Sequence, residues 1–320
     1  MTSVKERVGA EIALEPGGPP TLRARVAHRV IRAVIRSLWA YGPPGPAGMR
    51  FVRGITSAIP YPPPPRGVRI EQDDFGAFGG EWVRAGRSDE SKVLLYLHGG
   101  GYFFGSPVIY RSLTWRLAAA TRRPVLALDY RLAPEHSPAE ALQDALTAYE
   151  GLLSQGYRGS DIVVGGDSAG GHLTLALLFA LRERGLPLPA AAVTLSPWAD
   201  LECMADSHVT NARTDHLIPA RRLAWAGSYY CEGKRRDDAL FAPVRGDYSG
   251  LPPLLMISST SEILRDDARS VVARARAADV QVVHHEWEGL VHVFPLFADY
   301  IPEGRAAYRH IAEFLAQVSP

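Results

Sequence analysis

A serine flanked by glycines is the first group in this chain that could do covalent chemistry. The sequence Gly-Asp-Ser-Ala-Gly, residues 166–170, places Ser168 shortly after the apolar run Ile162–Val164. In the form G-x-S-x-G, a sharp turn between a strand and a helix presents a serine hydroxyl as a nucleophile. The same glycines would also suit an ordinary turn, because glycine accepts unusual backbone angles. A nucleophilic role for Ser168 therefore depends on whether the chain also holds a base, an acid and an oxyanion site.

A second glycine-rich loop supplies candidate donors for an oxyanion hole. His-Gly-Gly-Gly, residues 98–101, follows the apolar run Val93–Leu97. Without Cβ atoms, the backbone of such a loop can turn its N–H groups toward a developing negative charge. A loop of this type acts together with the N–H of the residue after the nucleophile. The predicted donors are therefore the N–H groups of Gly100, Gly101 and Ala169.

Four motifs occur in a specific order along the chain. They are HGGG at 98–101, DYRLAPE at 129–135, GDSAGG at 166–171 and G-x-x-H-x-F from Gly289 to Phe294. In this order they resemble the motifs of the hormone-sensitive lipase family of α/β-hydrolases. The resemblance implies a mostly parallel eight-stranded sheet, helices on both faces, a helical cap and esterase activity without a cofactor. It assigns the nucleophile to Ser168 and the base to His292.

The acid of the predicted triad departs from the commoner family pattern. The family usually carries D-x-L-x-D after the penultimate strand, whereas this chain has Glu262-Ile263-Leu264-Arg265-Asp266. We therefore predict Glu262 as the acid that orients His292, because glutamate also serves in this role. Asp266 and Asp267 are the alternatives, although carboxylates at the start of a helix are favourable without any catalytic role.

Aromatic residues follow two predicted strands on the same side of the sheet. They either line an acyl pocket or belong to the core: Tyr102, Phe103, Phe104 and Trp198. The substrate is expected to be a short-to-medium acyl ester or, by the same chemistry, a lactone of the monoterpene ε-lactone type. A non-catalytic binding protein on this fold is a third reading, and the presence of Ser168, Glu262 and His292 argues against it.

Apolar runs rich in β-branched residues alternate with helical segments, which indicates a parallel sheet covered by helices. The predicted strands are Val93–Leu97, Val125–Leu128, Ile162–Val164, Ala191–Leu195, Leu254–Ile257 and Val280–Trp287. The predicted helices are Arg111–Thr121, Pro138–Leu153, Ala169–Arg184, Asp266–Ala278 and Glu303–Gln317. We expect a catalytic domain over residues 66–320, preceded by a cap segment and linker at 1–65. A second cap segment is expected as an insertion at about 197–245, with a helix near Pro219–Tyr230.

A basic amphipathic helix is predicted near the N-terminus, over residues 23–42. Apolar side chains recur there at Val26, Val30, Val34 and Leu38, with a second row at Ile31 and Ile35, and arginines interleave with them. The segment lacks the continuous apolar core of a signal peptide and is too interrupted by arginine to span a bilayer. Such a helix either lies on a membrane surface or covers part of its own protein, and we expect the latter.

The composition of the chain limits which classes of ligand and partner are expected. The chain has 320 residues, 47% of them hydrophobic, and a formal net charge of +1, so no strong field points to nucleic acid or lipid. Two cysteines make neither a disulfide framework nor a metal cluster, and no H-x-x-x-H or phosphate-binding glycine motif occurs. We therefore expect a cytoplasmic enzyme without metal, cofactor or stable membrane anchoring. The family resemblance adds a possible homodimer.

Overall fold

A single mixed sheet forms the centre of the protein. The computed structural model describes residues 13–14, 18–232 and 240–319. In chain order the strands are β1 Ala13–Leu14, β2 Val68–Asp74, β3 Gly79–Ala85, β4 Val93–Leu97, β5 Val125–Asp129, β6 Ile162–Asp167, β7 Ala191–Leu195, β8 Leu254–Ser259 and β9 Val282–Trp287. Their order across the sheet is β1-β9-β8-β7-β6-β4-β5-β3-β2.

The sheet is parallel except at one edge. Strand β3 pairs antiparallel with both β2 and β5, and the remaining neighbours pair in parallel. The prediction of a mostly parallel α/β-hydrolase sheet of eight strands is confirmed for β2–β9, and the two-residue β1 adds a ninth at the far edge. Strands β2 and β3 are not among the predicted strands. Strand β2 carries mostly polar residues and is largely exposed, so its pattern is too weak to separate from a loop.

Helices cover both faces of the sheet. In chain order they are α1 Leu22–Ile31, α2 Ser37–Tyr41, α3 Gly45–Ala58, α4 Pro107–Thr121, α5 Pro138–Ser154, α6 Ala169–Glu183, α7 Ser207–Thr210, α8 Ala220–Cys231, α9 Arg265–Ala277 and α10 Pro302–Val318. The five helices predicted in the catalytic domain are all present within a few residues. Helix α5 shows why: Ser137 caps it, Pro138 opens it, and Glu140 completes a reciprocal capping box.

The topology brings four loops together at the carboxyl edge of the sheet. The five residues of β4 and of β7 and the six of β6 and of β8 are all buried, as expected for parallel strands covered on both faces. The glycine-rich loop follows β4, and Ser168 follows its neighbour β6. The loops after β8 and β9, which are also neighbours, carry Glu262 and His292. Ligands of such sheets bind at this edge.

Two segments pack against each other: the N-terminal segment, residues 18–65, and the second segment, residues 197–232 and 240–245. The guanidinium of Arg222 on α8 donates to the carbonyl oxygens of Ala40 and Gly42. In return, Arg32 donates to the carbonyl of Arg213 at 2.7 Å. The predicted helix at residues 23–42 consists of α1, a π-helical stretch at Arg32–Arg36 and α2.

Helix α1 buries the face that contains Ile31, not the face that contains Val26 and Val30. Its buried side chains are Ala24, His28 and Ile31, whereas Val26 and Val30 point to solvent. His28 stacks on His216 of the second segment, with ring centroids 4.8 Å apart. Its Nε2 accepts the backbone N–H of Val291. Helix α1 is therefore held in part by a hydrogen bond to the residue before His292. The spacing of apolar residues in the sequence does not reveal such a contact. Within the described residues, no helix combines the length and the apolar character needed to cross a bilayer.

Candidate active site

Ser168 lies on a sharp turn between β6 and α6. Its backbone has φ 53° and ψ −118°, in a region that residues with a side chain rarely adopt. Two contacts hold the turn: the Ser168 N–H donates to the carbonyl of Leu195, and the Ser168 carbonyl accepts from the N–H of Trp198. A Cβ at Gly166 would overlap the carbonyl of Gly170, and one at Gly170 would overlap the carbonyl of Leu97. Both flanking glycines are therefore required by close backbone approach.

The residue before Ser168 connects this turn to the glycine-rich loop. Asp167 is buried, and its carboxylate accepts hydrogen bonds from the hydroxyls of Tyr96 at 2.8 Å and Tyr110 at 2.9 Å and from the N–H of Gly99. Burial raises the pKa of Asp167 to about 6, although these donors lower it. Asp167 is not among the predicted site residues. The available signal was an aspartate directly after an apolar strand, because a carboxylate that is buried there must accept hydrogen bonds.

His292 and Glu262 form a buried pair. The Nδ1 atom of His292 lies 2.7 Å from Oε2 of Glu262, and the other carboxylate oxygen accepts the N–H of Ser259 at 2.7 Å. Burial by itself lowers the pKa of His292, but the hydrogen bond and negative charge of Glu262, with the charges of Asp215 and Asp167, raise it above its ordinary value. The pair can therefore stabilise an imidazolium.

The second segment braces the loop that carries Glu262. Asn211 donates from its amide to the carbonyls of Thr260 and Glu262, each at 2.9 Å. The buried carboxylate of Asp215 accepts the N–H of Ile263. These contacts join residues about fifty positions apart. The loop that carries Glu262 therefore depends on the folding of the second segment. Asn211 and Asp215 are not among the predicted site residues.

The two alternative acids are engaged elsewhere. Asp266 accepts the N–H of Ser207 and pairs with Arg265. Asp267 accepts the N–H of Asp200 and lies 3.2 Å from Nε2 of His208. Among the three carboxylates that the sequence left open, Glu262 is the one in contact with His292.

The glycine-rich loop adopts a conformation that needs glycine. Gly100 has φ 113°, and a Cβ there would overlap the carbonyl of Phe104. The Gly100 carbonyl accepts the N–H of Phe104, and the Gly101 carbonyl accepts the hydroxyl of Tyr230 at 2.6 Å. In the described part of the chain, the N–H groups of Gly100, Gly101 and Ala169 donate to no acceptor. Three donors are thus available beside the Ser168 turn.

His98 supports its own loop. Its Nδ1 lies 2.7 Å from the carbonyl of Gly99, and its ring stacks on Tyr130 with centroids 4.3 Å apart. Burial lowers the pKa of His98 to about 4, so the ring is neutral near pH 7. Across residues 18–232 and 240–319, no three histidine, cysteine or acidic side chains converge in a way that could hold a metal ion.

The four aromatic residues predicted near a substrate pocket have different surroundings. Tyr102 is buried, and its hydroxyl lies 2.6 Å from Nδ1 of His172, while Trp198 is buried against Tyr230. Phe103 is tilted against Trp39 of the N-terminal segment and lines a small cavity of about 20 Å³. Phe104 is half-buried beside it. An acyl-pocket role for these residues stays a prediction.

Known proteins resemble this chain over most of its length. The profile of a family described as having the alpha/beta hydrolase fold matches residues 94–296. An acetyl-hydrolase of Streptomyces hygroscopicus is 43% identical over 235 residues, which are 73% of this chain and 78% of that protein. An esterase of Acinetobacter venetianus is 33% identical over 248 residues, which are 77% of this chain and 82% of that protein. The solved structure of an esterase from the bacterial hormone-sensitive lipase family aligns with a TM-score of 0.85 at 37% identity, over 94% of this chain and 99% of that one. The chain therefore belongs to the hormone-sensitive lipase family of α/β-hydrolases.

Proposed function

We propose that this protein hydrolyses carboxylic esters of short-to-medium acyl chains through Ser168, His292 and Glu262. The observation that carries the proposal is the buried contact between His292 and Glu262 at the sheet edge where the Ser168 turn lies. A base that is held by a carboxylate, at the same sheet edge as a serine on a sharp turn, is the arrangement that activates a hydroxyl. The relatives named acetyl-hydrolase and esterase support the same reaction class.

The residues act in two steps. The Ser168 oxygen attacks the acyl carbon while Nε2 of His292 takes the hydroxyl proton, and the new C–O bond forms as negative charge moves to the carbonyl oxygen. The N–H groups of Gly100, Gly101 and Ala169 stabilise that charge. The C–O bond to the alcohol then breaks, and His292 returns the proton to the departing oxygen. A water molecule then attacks the acyl carbon while His292 takes its proton. The bond to the Ser168 oxygen breaks, His292 returns the proton to that oxygen, and the carboxylic acid is released.

Glu262 orients the imidazole and stabilises its charged form without taking the proton itself. The raised pKa of His292 suits this role, because a stronger base accepts the serine proton more readily. Asp167 has a positioning role, since it connects the Ser168 turn with Gly99 of the glycine-rich loop.

The N-terminal segment and the second segment form the cap over this site. Support comes from their mutual hydrogen bonds and from the packing of Trp39 on Phe103, three residues beyond Gly100. Trp39, Met49 and Trp225 line the small cavity that Phe103 also lines, so both segments contribute to it.

Hydrolysis of a series of p-nitrophenyl esters, from acetate to palmitate, tests the proposal. We expect the rate to peak between acetate and hexanoate, and Ser168→Ala to lower kcat by about 10⁶. Ser154→Ala, which alters an exposed serine at the end of α5, is the matched control and keeps the wild-type rate. Equal activity of Ser168→Ala and wild type would overturn the assignment.

A further inference from the structure

A row of apolar side chains on α1 and its π-helical continuation faces solvent. The residues are four apart, and their exposed fractions are 70% for Leu22, 51% for Val26, 57% for Val30 and 60% for Val34. Side chains at this spacing form one line along a helix. The line lies opposite Ala24 and Ile31, which contact the core. Four large apolar groups in one exposed line are unusual for a protein surface that faces only water.

Exposed apolar side chains concentrate around this row. Of the fourteen large apolar residues that are exposed in the described part of the chain, twelve lie in the N-terminal segment or the second segment. The most exposed of these are Tyr41 at 88% and Val209 at 80%. The remaining two, Val108 and Tyr300, lie on the catalytic domain. Most of the exposed apolar surface of the described residues therefore belongs to these two segments.

Positive charge accompanies the row. Residues 16–70 contain nine arginines and no lysine, aspartate or glutamate, whereas the whole chain has a net charge of only +1. Arg23, Arg25 and Arg29 on α1 are exposed, and no carboxylate of the described residues pairs with them. An apolar line bordered by unpaired arginines matches an anionic lipid surface, where the side chains insert between headgroups and the guanidinium groups meet phosphates.

We infer that α1 docks this protein reversibly on membranes that contain anionic lipids. A second copy of the chain would fit the apolar row but would bring the same arginines face to face, which costs energy at low salt. A lipid surface satisfies both features together. Docking of this kind lies in the plane of the interface and requires no helix that spans the bilayer.

The opposite face of α1 connects the docking row to the site. His28 accepts the N–H of Val291, the neighbour of His292, and Trp39 at the end of this helical region contacts Phe103. Docking therefore brings the sheet edge with Ser168 close to the lipid. This consequence rests on the proposed function, and it makes esters dissolved in or derived from lipids the substrates within reach. Binding itself does not depend on the catalytic assignment.

Vesicle flotation with the full chain tests the inference. The probes are vesicles of phosphatidylcholine alone and vesicles with about one third phosphatidylglycerol. We expect binding to the anionic vesicles at low salt, weak binding to the neutral ones, and loss at high salt because ions screen the arginines. Val26→Gln/Val30→Gln should weaken binding about a hundredfold, which is about one order of magnitude for each of the two removed apolar side chains. Arg23→Gln/Arg25→Gln should weaken it about fivefold per arginine.

Controls separate the inference from its alternatives. Tyr300→Gln removes an exposed apolar group on the catalytic domain and should bind like wild type. Hydrolysis of water-soluble p-nitrophenyl acetate should be the same in Val26→Gln/Val30→Gln and wild type, and this readout tests the catalytic proposal separately. Three results would overturn lipid docking: no flotation of the wild type, dissociation of a dimer in the valine variant, or a fall in the Tm of that variant, which would show that the row packs within the protein.

Discussion

The carboxylate of Asp167 accepts the backbone N–H of Gly99 at 2.9 Å, so the residue before Ser168 holds the first glycine of the neighbouring loop. The two glycine-rich motifs of the sequence are thereby joined into one unit across β6 and β4. Both the Ser168 turn and the predicted oxyanion donors depend on this buried carboxylate. The hydroxyls of Tyr96 and Tyr110 complete its hydrogen bonds.

Removal of this carboxylate should destabilise the fold and the site together. Asp167→Ala leaves two hydroxyls and one N–H without an acceptor, and we expect the free energy of unfolding to fall by about 3–6 kcal/mol. Asp167→Asn keeps the shape and an accepting oxygen, and it should cost about 1 kcal/mol. Urea denaturation measures both values. Similar stability of the alanine and asparagine variants would contradict the bracing role.

Loss of the charge beside His292 should slow hydrolysis without unfolding the protein. Glu262→Gln keeps the size of the side chain but no longer favours the charged imidazole, so kcat should fall by about 10⁴. Asp266→Asn is the matched control, because Asp266 contacts Ser207 and Arg265 instead. It should keep kcat near the wild-type value. A larger loss of kcat in Asp266→Asn than in Glu262→Gln would identify Asp266, and not Glu262, as the acid of the triad.

The pH dependence of hydrolysis should follow His292. A general base must be neutral, so kcat/KM rises with pH through the pKa of His292, which Glu262 holds above 6.5. In Glu262→Gln that support is lost, and the rising limb should move to lower pH while the plateau drops. Asp215→Asn should also move the rising limb to lower pH, but by less, because the charge of Asp215 raises the pKa of His292 less than Glu262 does. A limb that stays in place in both variants would argue against His292 as the base.

A methyl group in the glycine-rich loop should disrupt the oxyanion donors. Gly100→Ala places a Cβ against the carbonyl of Phe104 at a positive φ, so the loop must move. We expect kcat to fall by about 10²–10³, the usual effect of losing one oxyanion donor. Gly54→Ala on α3 is the control, since its Cβ would meet open space. The rates of p-nitrophenyl butyrate hydrolysis compare the two, and equal rates would remove Gly100 from the site.

Acid should loosen the contact between α1 and the loop of His292. Burial, with the charge of nearby His216, lowers the pKa of His28 to about 4 from 6.5. As the pH falls through this range the unfolded chain gains a proton at His28 and the native state does not, so the free energy of unfolding decreases.

His28→Gln keeps an acceptor for the Val291 N–H and removes the titration. The loss of stability between pH about 7.5 and about 5 should be about 2 kcal/mol smaller in this variant than in the wild type. Denaturant unfolding at the two pH values measures the difference. The same loss in both proteins would show that another group is responsible.

The sequence by itself determined the sheet from β4 to β9, the helices between its strands and the positions of Ser168, His292 and the HGGG loop. These features depend on local properties: β-branched apolar runs, helical periodicity, and glycines where a side chain does not fit. The parallel order of the strands then places their carboxyl ends at one edge. Strand β2 escaped prediction because a polar edge strand carries no such local pattern.

Only the tertiary structure decided which acid meets His292, which groups satisfy Asp167 and which face of α1 is buried. Glu262, Asp266 and Asp267 lie within six residues of one another, so local pattern does not separate them, whereas the path of the chain gives Glu262 alone among them a contact with His292. The bonds that brace this acid come from Asn211, 51 residues away. Such choices depend on packing between segments distant in sequence, and hydrogen bonds over that distance leave no periodic trace in the chain.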